Sequence, residues 1–582
     1  MKEYIIAQNG QSAYWIVTSQ FAENAELYAA SQLQKYLYES LNTYVPYFSD
    51  RGNRRGKEIF IGKTARDIGA NIDFSSLGEE GYLIQTIGDD ILIAGNTGRG
   101  TLYGVYAFLE KFLGYRMFTK DVEKIEHKQE LIIPETEIRE KPAFEYRDCY
   151  SRFAWDIEFS VKNKLNGSAA PIPNEMGGKV KFYNCHHSFF DLVPPKYYQE
   201  KHPEYYSVAE GDGNGKQLCL SNEKVFEIAR AQLVRWIKEN PECKVFSIAQ
   251  NDYDTYCQCP KCKAIDEYHK SPSGSVIRFV NRLAESIEKE YPQVLLHTFA
   301  YRYSKVAPKN LKVKDNVIVR LCNIECGRAI AFEEAAEMAT TEKGAKEARD
   351  FLQNIKDWMA ICKRLYVWDY VVNFRHYLMP MLPLGVFAKN LQMYKKFNIQ
   401  GVLMEGNFSY GGDASMGDLK NYVLAKLLWN PNENVDCLKK EFIYGVYGKG
   451  APYIEKYVDL MEKSITGKYA DIYDTTDREY YSEETIKQAD TLFELAEKTE
   501  TNPTILRRIQ RECLAIEYMQ TVRIEDNEKR CEAADALYEK LKEYKITEIT
   551  ERTDLRDAIR WIKENRYASA TRNWYGTYYI VK

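Results

Sequence analysis

Acidic side chains follow four of the predicted strands in the middle of this chain of 582 residues. Each comes at or just after the end of an apolar, β-rich segment: Asp252, Glu325, Asp369 and Glu405. Hydrolysis of a glycosidic bond needs one carboxyl that protonates the leaving oxygen, and a second group that attacks, activates water or stabilises the positive centre. Acids at strand ends also cap helices or pair with arginines, so we expect about half of these four to be structural.

Polar and aromatic residues at the same strand ends are candidates for binding a substrate. They are His187, Asn251, Tyr301, Arg302, Trp368 and Asn407, together with Arg147 in the first strand. Aromatic rings offer flat apolar faces that suit a sugar ring in a pocket. For His187, a place in the core or in a loop is an equally good interpretation.

The sharpest local motif is Cys257-Gln258-Cys259-Pro260-Lys261-Cys262. Three thiols so close together suit zinc, but a closed structural site needs a fourth ligand. The residues considered for that place are Cys243, Cys322, Cys326 and His269. The sequence favours buried or free thiols over a metal site, so no metal and no cofactor are predicted, and a disulfide framework is not indicated.

The elements that must position these residues alternate between strand and helix. The predicted strands are Phe144–Tyr150, Lys162–Asn166, Lys181–His186, Lys244–Ala249, Val294–Ala300, Val317–Ile324, Leu365–Trp368 and Gly401–Met404. Eight strands in about 290 residues fit a (β/α)8 barrel better than a doubly wound sheet, and such a barrel builds its active site at the carboxyl ends of the strands.

Three domains are predicted. Residues 1–140 form a small α/β sandwich domain, residues 141–430 the TIM-like (β/α)8 barrel, and residues 431–582 an α-helical domain rich in Glu and Lys.

Charge and hydropathy exclude several classes of partner. The formal net charge of −4 is too small for this length to indicate a nucleic-acid partner. No apolar run approaches the roughly 20 residues of a membrane span. The N-terminus lacks a secretory signal pattern, so we expect a cytoplasmic protein, or a periplasmic or secreted one if a leader was removed.

Four segments carry distinctive local sequences: residues 187–195 (HSFFDLVPP), Gln250-Asn251-Asp252 with the cysteine motif, residues 319–326 (VRLCNIEC) and residues 366–370 (YVWDY). Together they resemble a bacterial family known as domain of unknown function 4838. The likeness runs from about residue 80 to about residue 460. Part of that family is classed as glycoside hydrolase family 163, endo-β-N-acetylglucosaminidases that act on complex N-glycans. The first domain resembles the domain that precedes the barrel in family 20 hexosaminidases and family 67 α-glucuronidases.

This resemblance implies a glycoside hydrolase for a β-linked N-acetylhexosamine in an oligosaccharide or glycan. Hexosaminidase-like catalysis is substrate-assisted, with one residue orienting the 2-acetamido group and an adjacent acid protonating the leaving group. The chain lacks an Asp-Glu pair after the fourth strand and has Asn251-Asp252 instead. By analogy, Asn251 would hold the acetamido group and Asp252 would serve as the acid. The alternative is the pair Glu325 and Glu405, one as acid/base and the other as nucleophile or base, with a separation of about 5 Å implying retention and about 6.5–9.5 Å inversion.

Two other functions stay open at this point. An α-glucuronidase-like or other exo-glycosidase is favoured by the first domain, and by Arg147 and Arg302 as a clamp for a carboxylate. A non-catalytic glycan-binding protein would keep the aromatic rings while its acids fail to converge.

Overall fold

The first domain is built on a mixed sheet of six strands. The computed structural model describes residues 2–66, 72–211, 214–338, 343–409, 411 and 415–565. In chain order the elements are β1 (Glu3–Gln8), β2 (Tyr14–Thr18), α1 (Asn24–Leu41), β3 (Tyr47–Ser49), β4 (Lys57–Ile61), β5 (Tyr82–Ile87), β6 (Asp90–Gly95), α2 (Gly98–Phe112), β7 (Arg116–Thr119), β8 (Val122–Lys124), β9 (Glu130–Pro134) and β10 (Glu137–Glu140). The sheet order is β10-β5-β6-β4-β2-β3, while β1 pairs with β9 and β7 with β8. Helices α1 and α2 pack against each other and bury apolar faces that include Leu33 and Leu109.

The central part of the chain forms a curled parallel sheet of seven strands surrounded by helices. Its elements are β11 (Tyr146–Tyr150), α3 (Ile157–Lys162), β12 (Phe182–Tyr183), α4 (Phe189–Leu192), α5 (Pro195–Tyr198), α6 (Glu223–Glu239), β13 (Val245–Ser247), α7 (Pro260–His269), α8 (Ser273–Ile287), β14 (Leu295–Ala300), β15 (Val317–Cys322), α9 (Phe332–Glu337), α10 (Lys343–Met359), β16 (Arg364–Tyr370), α11 (Leu384–Lys396), β17 (Gly401–Glu405) and α12 (Gly417–Trp429). The strand order is β11-β17-β16-β15-β14-β13-β12. The predicted mixed α/β architecture is confirmed, but the curled parallel sheet has seven strands within the described residues, where the prediction was a (β/α)8 barrel of eight.

The predicted second strand, Lys162–Asn166, is wrong. Lys162 is the last residue of α3, and Lys164 has a φ of 60°, which an extended strand does not permit. The Asn163 side-chain amide donates to the backbone oxygens of Phe159 and Met117, both at 3.0 Å, so local hydrogen bonds replace a ladder. Asn166 takes the place beside β11, where its side-chain oxygen accepts a hydrogen bond from the Arg147 N–H at 2.8 Å.

Side chains along the sheet alternate between the inside and the outside of the curl. Tyr146 and Tyr150 of β11 lie in the inner cluster with Trp368 and Leu403, whereas Cys149 belongs to the outer core under the helices. Parallel strands place their carboxyl ends at one rim, where Tyr150 of β11 and Tyr370 of β16 both pair in register with Glu405 of β17.

The C-terminal region is helical. It contains α13 (Val435–Val446), α14 (Ala451–Ile465), α15 (Glu483–Thr499), α16 (Pro503–Thr521), α17 (Asn527–Glu543) and α18 (Leu555–Lys563). The segment between α17 and α18 returns to the rim of the curled sheet, where the Tyr377 N–H donates to Ile549 O at 3.0 Å. No helix in the described ranges combines the length and the apolar character that crossing a bilayer requires. The domain limits after residues 140 and 430 stay predictions.

Candidate active site

Glu405 is the last residue of β17 and the most perturbed acid at the rim. The indole N–H of Trp368, on the neighbouring strand β16, donates to Glu405 Oε2 at 2.7 Å. Burial, and then the negative charges of Glu551 and Asp252, raise the Glu405 pKa from 4.5 to about 8, although the Trp368 hydrogen bond and Arg552 act in the opposite direction. Glu405 is therefore protonated at neutral pH and can give up a proton to a leaving group.

Glu551 comes from the helical domain, which the sequence prediction left without site residues. Its backbone N–H donates to Phe374 O at 2.8 Å, which fixes the returning segment against the loop after β16. Burial raises the Glu551 pKa, Arg552 lowers it, and the charge of Asp252 raises it again. Position along the barrel strands could not reveal this residue, because it lies about 145 residues beyond the end of the last strand, β17.

Asp252, in the loop after β13, is held by an arginine. Arg302 Nε lies 3.2 Å from Asp252 Oδ1, and Arg302 Nη1 lies 2.9 Å from Asp254 Oδ1. The Asp252 side chain is 35% exposed. Because its charge raises the pKa of both Glu405 and Glu551, the three carboxyl groups share one electrostatic environment. The structure thus brings two of the predicted acids, Asp252 and Glu405, into the same site.

Glu325 lies in the loop after β15, where its Oε1 is 2.9 Å from Lys305 Nζ. Its side chain is 33% exposed, so it stays open to the rim. Its charge, like those of Glu405 and Asp252, raises the pKa of the buried Cys322 thiol, after the larger effect of burial.

Asp369 is closed off from the rim. Its carboxylate accepts hydrogen bonds from Arg328 Nη1 at 2.7 Å and from Tyr394 OH at 2.7 Å, and Asn323 Nδ2 donates at 3.0 Å. With 2% of the residue exposed, these buried partners saturate the carboxylate. The arrangement gives Asp369 the role of an ion-pair partner for Arg328 rather than of a group that meets a ligand.

An aromatic wall adjoins Glu405. It is formed by Tyr150, Trp155, His186, Trp368 and Phe408, and the ring of Tyr150 lies at its centre. Its ring centroid is 5.1 Å from that of Trp155 and 5.7 Å from that of Phe408. His186 is exposed, and its Nε2 lies 3.2 Å from Tyr150 OH. Such a surface suits the apolar face of a sugar ring.

A buried cation lies beneath this wall. Arg320 of β15 is 0% exposed, and its guanidinium carbon lies 5.1 Å from the Tyr146 ring centroid and 5.6 Å from that of Trp368. The protein atoms packed around the His186 ring, and then the charge of Arg320, lower the pKa of that imidazole. Burial also lowers the His187 pKa, against the charge of Asp252, and His187 Nδ1 lies 2.5 Å from Gln250 O. Both imidazoles are therefore neutral at neutral pH.

Several predicted substrate-binding residues make hydrogen bonds or ion pairs within the protein. The Asn251 side-chain amide donates to Lys216 O at 2.8 Å. The Asn407 side-chain oxygen accepts from the Ser409 N–H at 3.1 Å, while its buried amide nitrogen meets no hydrogen-bond partner among the described residues. Arg147 is fully buried on the outer side of the sheet, where its Nη1 lies 2.6 Å from Glu80 Oε2 of the first domain. It joins two domains and cannot clamp a substrate carboxylate. Tyr301 is nearly buried, with its ring centroid 6.1 Å from that of His187.

The three cysteines of the motif at residues 257–262 lie together with a fourth, Cys219. Cys219 was not among the residues considered from the sequence. Within the described part of the chain, Cys243, Cys322, Cys326 and His269 lie outside this group.

Fold and site together define a protein with a curled parallel α/β sheet whose carboxyl-end rim carries acids and aromatic rings. A family model described as domain of unknown function DUF4838 matches residues 117–459, more than half of the chain, so the chain belongs to that family. A second model, the N-terminus of glycosyl hydrolase family 67, matches residues 7–108. No curated protein matches the sequence.

Two solved structures are similar to the chain. One is a family GH115 4-O-methyl-α-glucuronidase, BtGH115A, with specificity for decorated arabinogalactans; it shows 13% identity and a TM-score of 0.57, over 98% of this chain and 81% of that one. The other, CpGH84B, shows 12% identity and a TM-score of 0.47, over 97% of both chains. At this identity the first likeness supports the fold, and the chemistry must be argued from the site.

Proposed function

We propose that the protein is a glycoside hydrolase in which Glu405 donates the proton to the leaving oxygen. The observation that carries the proposal is the raised pKa of Glu405, about 8, at the carboxyl end of a parallel strand and beside two further acids. A carboxyl that stays protonated at neutral pH is what a glycosidase requires of its acid.

Asp252 is the second carboxyl of the proposal. Its ion pair with Arg302, at 3.2 Å, holds a negative charge in place at the rim. A negative charge there stabilises the positive centre that develops as the glycosidic bond breaks. Glu325, which pairs with Lys305 at 2.9 Å, is the competing candidate for this role.

The proposed substrate is a glycan with a β-linked N-acetylhexosamine. Membership of the DUF4838 family supports it through the resemblance to family 163, and the aromatic wall supports a sugar ligand of some kind. Because the Asn251 amide is engaged with Lys216 O, we assign Asn251 to holding its loop rather than to orienting an acetamido group.

An α-glucuronide is the second candidate substrate. It is favoured by the family 67 match over residues 7–108 and by the fold shared with the GH115 α-glucuronidase. Arg552, whose side chain is 70% exposed and lies 5.9 Å from the Phe408 ring centroid, is then the proposed partner of the uronate carboxylate.

The test measures sugar release from three kinds of substrate: aryl β-N-acetylglucosaminides, complex N-glycans and aryl or oligosaccharide α-glucuronides. The protein is assayed beside the variants Glu405→Gln, Asp252→Asn and Glu325→Gln. Glu267→Gln is the control, since that side chain is 68% exposed on α7. We expect Glu405→Gln to lower kcat/KM by about 10²–10⁴-fold on substrates with poor leaving groups, and Glu267→Gln to leave it unchanged.

The outcomes separate the candidates. Turnover of N-acetylhexosaminides supports the first substrate, and turnover of glucuronides alone, lost in Arg552→Gln, supports the second. Full activity of Glu405→Gln overturns the assignment of the acid. Glycan binding without turnover of any substrate overturns the hydrolase and identifies a binding protein.

A further inference from the structure

Four cysteine sulfurs lie together beside the loop that carries Asp252. Cys219 Sγ is 3.7 Å from Cys259 Sγ and 4.0 Å from Cys262 Sγ. All four sulfurs, including that of Cys257, lie within 4.8 Å of one another. We propose that Cys219, Cys257, Cys259 and Cys262 bind one structural zinc ion.

The spacing of the sulfurs matches a tetrahedral site. With zinc–sulfur bonds of about 2.3 Å, the edges of a tetrahedron of thiolates are about 3.8 Å long. The measured separations of 3.7 and 4.0 Å agree with those edges. They are far longer than the bond of about 2.05 Å in a disulfide.

Ordinary packing does not account for the cluster. Buried free cysteines usually pack as small apolar groups within a larger core. Here Cys219, Cys257 and Cys262 are buried in a cluster of their own, and the partly buried residue packed against them is Cys259. A hydroxyl adjoins the sulfurs, since Ser221 Oγ lies 3.2 Å from Cys262 Sγ and 3.6 Å from Cys259 Sγ.

The backbone near the sulfurs favours negative charge. Cys259 is the N-cap of α7, and its sulfur accepts a hydrogen bond from the Cys262 N–H at 3.5 Å. Each thiol that binds the metal releases its proton, so four thiolates with one Zn²⁺ carry a net charge of −2. The positive end of a helix stabilises such a charge.

The position of the cluster indicates what the metal does. Two residues before Cys219, the Gln217 side chain accepts from the Asn251 N–H at 2.9 Å and donates to Asn251 O at 2.8 Å. The other three ligands follow Asp252 within ten residues. Zinc would therefore join two separate segments and fix the loop between β13 and α7. It is a structural ion, and its presence does not depend on the proposed activity.

The test is the metal content of the full chain, by elemental analysis and native mass spectrometry. We expect about one zinc per chain in the wild type and in Cys437→Ser, whose cysteine is exposed and remote from the cluster, and loss of the metal in Cys219→Ser and Cys262→Ser. If those variants fail to fold, chelation of the wild type supplies the second measurement. Strong chelator should release the zinc, unmask four thiols to a thiol reagent and lower the melting temperature.

Three results would overturn the proposal. They are a wild-type mass that shows no metal, a mass reduced by the hydrogens lost in disulfides, and iron in place of zinc. Because these readouts are independent of turnover, a protein that hydrolyses no glycan but holds zinc contradicts the proposed function alone.

Discussion

Trp368 donates its indole N–H to Glu405 Oε2 at 2.7 Å, across neighbouring strands whose carboxyl ends meet at the rim. A hydrogen bond of this kind stabilises the ionised carboxylate, whereas burial stabilises the neutral acid. The pKa of about 8 shows that burial, helped by the charges of Glu551 and Asp252, outweighs the hydrogen bond. The indole orients the carboxyl and at the same time moderates its proton affinity.

Replacement of Trp368 by Phe should move the pH dependence of activity toward higher pH. Without the N–H donor, the Glu405 carboxylate loses a stabilising bond worth about 1–2 kcal/mol, and its pKa rises by about one unit. The alkaline limb of kcat/KM, near pH 8 in the wild type, should shift upward by a similar amount. Trp155→Phe is the matched control, because the Trp155 ring belongs to the wall but is not among the groups that shift the Glu405 pKa. If the alkaline limb of kcat/KM is unchanged in Trp368→Phe, Glu405 is not the acid whose titration produces that limb.

Glu551→Gln should have the opposite effect. The charge of Glu551 is, after burial, the largest influence that raises the Glu405 pKa. Its removal should lower that pKa, so the alkaline limb of kcat/KM moves to lower pH by about half a unit to one unit. Glu543→Gln, an exposed acid of the same helical domain, should leave the profile unchanged. An unchanged pH profile of kcat/KM would mean that the charge of Glu551 does not affect the Glu405 pKa.

Glu405→Gln should make the protein more stable at alkaline pH while it lowers activity. The folded pKa of about 8 lies above the usual 4.5, so the folded protein binds the proton more tightly than the unfolded chain does. Stability from this group is therefore complete below about pH 4.5, falls as the pH rises, and is lost above about pH 8. Glutamine has no such proton to lose.

The measurement is urea unfolding of both proteins at pH 6 and pH 9. The unfolding free energy of Glu405→Gln minus that of the wild type should increase by about 1–3 kcal/mol from pH 6 to pH 9. An equal difference at both values would mean that Glu405 does not titrate in this range. The gain in stability together with the loss of activity is a signature that general damage to the fold does not produce.

The sequence predicted the parts of the fold that depend on periodic apolar patterns. Six of the predicted parallel strands carry clear apolar runs, and β14 to β17 lie close to the expected limits. The predicted strand at Lys162–Asn166 failed because Asn163 and Asn166 use their side-chain amides in buried hydrogen bonds, which no apolar pattern encodes.

The sequence could predict those site residues whose position at the end of a strand is enough to place them in the site. Asp252 and Glu405 follow strands of a parallel sheet and meet at its rim. Glu551 and Cys219 could not be found in this way. Each lies close to residues far from it in sequence, Glu551 to Glu405 and Cys219 to the cysteine motif at residues 257–262. Arg147 and Asp369 have the expected residue types at the expected strands, but their side chains meet buried ions of opposite charge.

Asp369→Asn should unfold the protein more easily without abolishing its chemistry. The pair formed by Asp369 Oδ1 and Arg328 Nη1, 2.7 Å apart, is almost wholly buried, with 1% of the arginine side chain exposed. Loss of one partner leaves the other charge buried without compensation, which costs about 3–5 kcal/mol. The exposed pair of Lys346 and Asp350 on α10 supplies the control: Asp350→Asn should cost less than about 0.5 kcal/mol. Chemical denaturation measures the loss of unfolding free energy in each variant.

Whether Asp369 takes part in catalysis is tested separately, by kcat measured well below the melting temperature. Asp369→Asn should keep kcat within a few-fold of the wild type, because its carboxylate faces Arg328 rather than a ligand; a stable variant with kcat reduced 100-fold or more would return Asp369 to the catalytic machinery.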